Sequence, residues 1–129
     1  MITKNKWVIV ISVICSAFSF SNVASAKTVS CDISLDGGRV KYVGPCNYTP
    51  TGGGSFEINS VKTGRNLVGD YSKIEVFVGQ SHGVSELPRN EAVYQYGAPD
   101  GRMHIGGHLK RHPTKTACWV GDYEKICVF

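Results

Sequence analysis

The stretch Ala117-Cys118-Trp119-Val120-Gly121-Asp122-Tyr123-Glu124-Lys125-Ile126-Cys127-Val128-Phe129 decides the fold of this chain. With Asp122-Tyr123 as a two-residue turn, it predicts a β-hairpin in which Cys118 lies directly opposite Cys127. Counting outward from the turn places this pair at a non-hydrogen-bonded position, where the strands come close enough for a cross-strand disulfide. The same register sets the tryptophan against the isoleucine, an aromatic and β-branched pair that stabilises a sheet.

A second hairpin is predicted over residues 29–43, around a Gly-Gly turn. Its apolar residues fall on one face and its polar residues on the other, which is the period-two pattern of half-buried strands. In this register Cys31 faces the residue two positions before Cys46, so these two cysteines are within diagonal reach. Four cysteines allow three pairings. The registers favour one disulfide in each hairpin, Cys31 with Cys46 and Cys118 with Cys127.

The first 26 residues have the organisation of an export signal. Lys4 and Lys6 supply a positive start, residues 7–20 supply an apolar run, and Ala24-Ser25-Ala26 is a small-residue cleavage site. We predict cleavage after Ala26 and a single domain over residues 27–129. The apolar run is too short for a good membrane span, so no stable membrane anchor is expected.

Charge and cysteine content restrict the class of protein. Cys15 leaves with the signal, and the other four cysteines are an even set, typical of two disulfides in the periplasm or outside the cell. The formal net charge of +4 falls to about +2 once Lys4 and Lys6 leave with the signal, which holds no acidic residue. That charge is too small to indicate a nucleic acid as the partner.

The rest of the chain favours strands throughout. No part of it has the pattern of a capped amphipathic helix. Alternating or β-rich runs predict strands at residues 55–60, 73–78 and 91–96, and residues 62–73 have a polar, turn-like composition. We therefore predict an all-β fold, a small antiparallel sandwich or open barrel of about six or seven short strands with two disulfides.

Three of the four histidines lie at spacings of four in the segment Arg102–Pro113. Gly106-Gly107 and the closing proline argue against a helix there. A strand would put the three histidines on one face, with each about 13 Å from the next. That distance is too large for one metal ion unless the strand bends. We therefore predict a solvated basic edge strand. The alternative is zinc or copper binding, with the candidate ligands His82, His104, His108 and His112.

The sequence shows no local signature of catalysis. It lacks a Gly-x-Ser-x-Gly elbow and a His-Glu-x-x-His helix, and no free cysteine remains if both disulfides form. We therefore predict no catalytic or cofactor-binding residues, and a small hydrolase whose triad is assembled only in three dimensions ranks as a third alternative. The leading hypothesis is a non-enzymatic periplasmic or secreted binding protein of the inhibitor or immunity type, because a disulfide-stapled β scaffold presents rigid loops.

The predicted contact surface combines two segments, the irregular loop Gln80–Asn90 and the basic segment Arg102–His112. Its charge favours an acidic protein partner, and a glycan is the alternative. The candidate partner-binding residues are His82, Arg89, Arg102, His104, His108, Lys110, Arg111 and His112.

Five short stretches, spread over most of the chain after the signal, follow one pattern. They are Gly44-Pro45-Cys46, Gly54-Ser55-Phe56-Glu57-Ile58, His104–Arg111, Ala117-Cys118-Trp119-Val120 and Lys125-Ile126-Cys127. In this pattern the chain resembles small exported four-cysteine proteins of proteobacteria, a group without an assigned activity. The Ala-Cys-Trp and Ile-Cys pair is its most specific part, whereas the histidine-rich segment is longer than the group's usual spacing. The resemblance implies a periplasmic or secreted protein and carries over no catalytic residue.

Overall fold

A computed structural model describes residues 26–80 and 86–129. These residues form a closed antiparallel barrel in which each strand pairs with the next and the last pairs with the first. The strands are β1 (Lys27–Leu35), β2 (Val40–Gly52), β3 (Ser55–Asn59), β4 (Lys73–Val78), β5 (Glu91–Gly97), β6 (Met103–Arg111), β7 (Cys118–Val120) and β8 (Lys125–Val128). Among these residues no helix is long and apolar enough to cross a membrane. The predicted signal peptide lies outside the described residues, apart from Ala26.

Both predicted hairpins and both predicted disulfides are confirmed. Cys31 lies opposite Gly44, and Cys46, two residues further along, forms the first disulfide with a Cα–Cα distance of 5.9 Å. Cys118 lies opposite Cys127, and the second disulfide joins them at a Cα–Cα distance of 4.0 Å. The first disulfide belongs to the interior core and the second lies outside that core. Two such bonds are typical of proteins from an oxidising compartment.

The all-β antiparallel class is as predicted, but the sheet closes. β1 pairs with β8 in addition to β2, with Ile33 opposite Ile126. An ion pair of 3.1 Å between Lys125 and Asp32 spans the same two strands across 93 sequence positions. Because this pairing joins opposite ends of the chain, no local pattern predicts it. The result is a closed barrel of eight described strands where a sandwich or open barrel of six or seven was expected.

Inward-facing side chains fill the barrel, as expected for eight strands. The largest of those with no exposed surface are Ile33, Ile58, Ile74, Val76, Leu109 and Ile126. The segment between β3 and β4 covers one end, where Leu67 and Val68 are only 3% and 2% exposed and pack into the core. We call this the closed end, and we call the opposite end, where β1 begins and β6 finishes, the open end.

A β-bulge in β6 changes which of its side chains face inward. The pairing of β5 with β6 shifts by one residue between Val93 and Gln95. The extra residue falls at Gly106-Gly107, opposite Tyr94. A Cβ on Gly106 would overlap the ring of Tyr94, so glycine is what lets this ring lie against the strand. Since side chains alternate along a strand, one inserted residue exchanges the two faces on either side of the bulge.

Candidate binding site at the open end of the barrel

The open end of the barrel contains a cavity of about 260 Å³. It lies where inward-facing residues near the strand ends extend beyond the filled core. Its floor is formed by Val29, Phe56, Trp119 and Val128, and two cationic residues, Lys27 and Arg111, line its rim. The mouths of β-barrels are among the places where proteins commonly bind ligands.

The floor of the cavity is aromatic and apolar. Trp119 and Phe56 are 3% and 4% exposed, so both rings are fixed by packing. Tyr48 stacks on Phe56 with ring centroids 5.3 Å apart. These buried rings leave little surface of their own in the cavity, but they hold the residues above them in place, so ordering the site on binding costs little.

Arg111 is held over the floor by two contacts. It is the last residue of β6 and lies opposite Trp119 of β7, with its guanidinium carbon 4.5 Å from the centroid of the tryptophan ring. Its Nη1 donates a 2.9 Å hydrogen bond to the carbonyl oxygen of Thr116. A guanidinium carries five donors. Most of them therefore stay available to an incoming group.

Lys27 occupies the rim at the first position of β1. Its Nζ lies 5.9 Å from the centroid of the Tyr48 ring, within the range of a weak cation–π contact. The residue pairs with Tyr48 across the β1–β2 ladder, which extends beyond the predicted hairpin of residues 29–43. The cavity thus has a cation over two of the aromatic rings in its lining, Tyr48 and Trp119.

The rim cations are not neutralised by acidic side chains within residues 26–80 and 86–129. None of the paired carboxylates of the described chain lines the cavity: Glu57 and Glu75 contact Lys73, Asp32 contacts Lys125, Glu91 contacts His108, and Asp100 contacts His104. The cavity lining therefore holds two cationic side chains and no acidic side chain, although the net charge of the chain is small. This arrangement suits a group with a negative charge attached to an apolar body.

His112 shapes the connection between β6 and β7, which contributes Thr116 and Ala117 to the cavity wall. The His112 Nδ1 accepts hydrogen bonds from the backbone N–H groups of Thr114 and Lys115, at 3.2 and 2.9 Å. With Nδ1 as the acceptor, the proton of the neutral ring lies on Nε2. This histidine therefore acts as an internal cap for the turn.

The bulge places His104 and His108 on opposite faces of β6, so the prediction that the histidines share one face is wrong. His104 lies opposite Tyr96, with stacked rings 5.8 Å apart, on the side of the strand that faces inward. His108 lies opposite Val93 on the outer side, and its Nε2 is 2.8 Å from Oε1 of Glu91. The extra residue at the bulge is the reason, since it reverses the alternation between the two histidines.

The described histidines do not come together as a set of metal ligands. Within the part of the chain that the structure describes, no three histidine, cysteine, aspartate or glutamate residues lie close enough to hold an ion. His82 lies outside the described residues, so its place in a zinc or copper site stays a prediction.

The predicted basic edge holds only in part, because the segment is a strand of the closed barrel, and among the described residues only its last two residues have a ladder partner on the β7 side. β6 pairs with β5 along most of its length and with β7 at Lys110 and Arg111. The edge was expected because the segment is polar and rich in charge. In the barrel that charge instead covers the outer wall and the two ends.

The predicted contact surface is divided between the two ends of the barrel. Arg111 and His112 lie at the open end, and so does Arg89, whose Nη1 donates a 3.4 Å hydrogen bond to the carbonyl oxygen of Gly53. Arg102 and His104 lie at the start of β6, at the closed end. The described part of the loop Gln80–Asn90 belongs to the open end, because this loop joins the end of β4 to the start of β5.

Four residues of the cavity, Lys27, Tyr48, Phe56 and Trp119, are absent from the predicted contact residues. The alternation of side chains along each strand could have identified these four positions as inward-facing. Their convergence depends on the closure of the barrel, which brings β1, β2, β3 and β7 around one opening. Comparisons of the chain with protein-family models, with curated proteins and with solved structures found no match, so the assignment of this site rests on the geometry described above.

Proposed function

We propose that this chain is a non-enzymatic, exported binding protein, periplasmic or secreted, of the inhibitor or immunity type. Its contact surface is the open end of the barrel, and its partner is a protein with an acidic surface. One observation carries the proposal: Lys27 and Arg111 stand over an aromatic cavity without acidic partners among the described residues. Uncompensated charges beside a concave apolar surface favour recognition of an oppositely charged partner.

The architecture supports the same function. The β2–β3 and β6–β7 connections and the described ends of the β4–β5 connection lie at the open end, on a closed barrel with two disulfides. Loops on a rigid scaffold lose little conformational entropy on binding, which is why such surfaces suit inhibitors. The disulfides, the predicted export signal and the resemblance to exported four-cysteine proteins support the compartment.

Site-specific photocross-linking tests the contact surface. A photoreactive p-benzoylphenylalanine replaces Thr116, which lines the open-end cavity, or Val61, which is 39% exposed in the β3–β4 segment at the closed end. Each protein is irradiated in periplasmic extract and in culture medium of the source cells. We expect an adduct of defined mass from position 116 and none from position 61, with the partner identified by mass spectrometry.

Charge-reversed variants supply the matched control. Lys27→Glu with Arg111→Glu should abolish the adduct at position 116, because the rim would then repel an acidic surface. Lys62→Glu with Arg65→Glu makes the same change in net charge on the β3–β4 segment, outside the cavity lining, and should leave the adduct intact. Equal loss in both double variants, or an adduct from position 61 alone, would contradict the assignment of the open end.

The inhibitor or immunity role is tested on the identified partner. Its activity is measured with increasing amounts of the wild-type protein and of the rim double variant. We expect stoichiometric loss of activity with the wild type only. Full activity of the partner in the presence of saturating wild type would exclude inhibition and leave binding alone.

A further inference from the structure

We infer that the open-end cavity binds a partner segment in which an oxyanion, such as a carboxylate, is attached to one apolar or aromatic side chain. This inference rests on the proposed function, since it takes the open end as the contact surface. It adds the chemistry that the cavity selects. The cavity would serve as the specificity pocket of that surface and take the residue that anchors the partner.

The apolar group of the ligand is inferred from the apolar side chains in the floor of the cavity. Val29, Phe56, Trp119 and Val128 supply the apolar part of the lining, and the guanidinium of Arg111 lies beside them over the Trp119 ring. An apolar or aromatic side chain placed there can pack against the half-buried Val29 and Val128 and against the Arg111 guanidinium that covers Trp119, and it displaces water from the apolar part of the lining. A polar group packed against the two valines would lose its hydration without gaining a charged partner.

The negatively charged group of the ligand is inferred from the two cationic residues at the rim of the cavity. Arg111 already uses one nitrogen on the carbonyl oxygen of Thr116, and this bond and the stacking over Trp119 fix the plane of its guanidinium. A fixed, planar guanidinium is suited to bidentate contacts with a carboxylate or phosphate. Lys27 adds a second positive charge from β1, without a described acidic side chain to compete for it.

The size of the cavity limits the ligand to about one side chain. Its volume of about 260 Å³ lies below the range typical of pockets for drug-sized molecules. A carboxyl-terminal residue with an apolar side chain fits this description, because it carries one carboxylate next to one apolar group. An aromatic residue beside an internal acidic residue presents the same two groups in a different arrangement.

Titration by two-dimensional NMR with short peptides tests the inference without the natural partner. The probes are N-acetyl-glycyl-phenylalanine, its carboxamide as the uncharged twin, and N-acetyl-aspartyl-phenylalanine amide as the internal arrangement. We expect the acid to bind with a Kd on the order of 0.1 to 1 mM and to shift the indole resonance of Trp119. The carboxamide should bind at least about tenfold more weakly.

The variants Arg111→Gln and Lys27→Gln should each weaken binding of the acid, Arg111→Gln by about tenfold. Arg65→Gln at the closed end is the matched control and should leave the Kd unchanged. The same spectra show whether each variant is folded. Tighter binding of the aspartyl peptide than of the free acid would assign the ligand to an internal acidic segment of the partner.

Two results would overturn the inference: equal binding of the acid and the carboxamide, or no binding of either charged peptide at about 10 mM. Both differ from a failure of the proposed function. If cross-linking at position 116 succeeds while the peptides do not bind, the contact surface stands and the pocket chemistry falls. If the peptides bind at Trp119 and no partner is captured, the inferred ligand class of the cavity is supported and the proposed protein partner is not.

Discussion

The hydroxyl of Tyr94 donates a 2.9 Å hydrogen bond to Oε2 of Glu124, and this bond connects β5 to the turn between β7 and β8. Glycines surround both groups. A Cβ on Gly106 would overlap the Tyr94 ring, and a Cβ on Gly107 would come within 2.6 Å of Oε2 of Glu124. The wall of the barrel is therefore completed here by a side-chain contact, in a region where β7 pairs with only the last two residues of β6.

Removal of the Tyr94 hydroxyl should weaken this part of the wall. We expect Tyr94→Phe to lower the free energy of unfolding at pH 7 by about 1–2 kcal/mol, because a hydrogen bond to a carboxylate is lost while the ring packing is kept. Urea denaturation measures this difference. Tyr48→Phe is the control, since no hydrogen bond of the Tyr48 hydroxyl to the described residues is seen, and it should change stability by less than about 0.5 kcal/mol.

The same pair predicts a pH dependence. Burial raises the pKa of Tyr94 above its ordinary value, and the hydrogen bond to Glu124 and the charge of Glu124 raise it further. A tyrosine whose pKa is higher in the folded state gives stability that is complete below the unfolded pKa of about 10 and is lost as the pH rises above it. The stability difference between wild type and Tyr94→Phe should therefore shrink above about pH 10. Parallel stability curves for the two proteins between pH 9 and 11 would contradict this.

The bulge glycine should tolerate no side chain. Gly106→Ala should cost about 1–3 kcal/mol, because the new Cβ overlaps a ring whose hydroxyl is already tied to Glu124. Gly97→Ala is the matched control: its Cβ would overlap only Oγ of Ser72, an exposed side chain that can rotate away. We expect a smaller loss of stability in that variant by thermal or urea denaturation. Equal losses would show that the Tyr94 ring moves as easily as the serine.

Much of this fold could be predicted from local patterns. A tight turn fixes the register of a hairpin, and the register fixes which cysteines can meet. For this reason Cys31–Cys46 and Cys118–Cys127 could be assigned before the structure. Each depends on residues within one hairpin, where loop length and alternation give sufficient information.

The rest depends on contacts between distant segments or on single irregular residues. Leu67 and Val68 lie in a stretch that is polar and turn-like, yet they plug the closed end because the barrel offers them an apolar interior. Gly106-Gly107 was interpreted as a helix breaker, and its role as a bulge depends on the ring of Tyr94 on another strand. Trp119 could be placed in a hairpin but not over a cavity, since that requires the β1–β8 closure.

The two disulfides should not contribute equally. In the chain-entropy model they close loops of similar length and give about 2.5 to 3 kcal/mol each. All four cysteines are buried, but only Cys31 and Cys46 pack within the interior core cluster. Cys31→Ala with Cys46→Ala should therefore cost more than Cys118→Ala with Cys127→Ala, by about 1 kcal/mol. Urea denaturation of the two double variants measures the order. The opposite order would mean that the outer disulfide compensates for the short β7 strand.

The turn held by His112 gives a test of how the cavity wall is built. In His112→Ala the backbone N–H groups of Thr114 and Lys115 lose their acceptor, and their hydrogen exchange should accelerate by about fivefold, equivalent to about 1 kcal/mol. His104→Ala, at the closed end, should leave these two amides unchanged. Because the Thr116 carbonyl lies in the same connection and accepts from Arg111, the loosened turn should also weaken binding of the peptide acid to the cavity. Unchanged exchange at Thr114 and Lys115 would show that backbone hydrogen bonds alone hold the connection, with the imidazole dispensable to it.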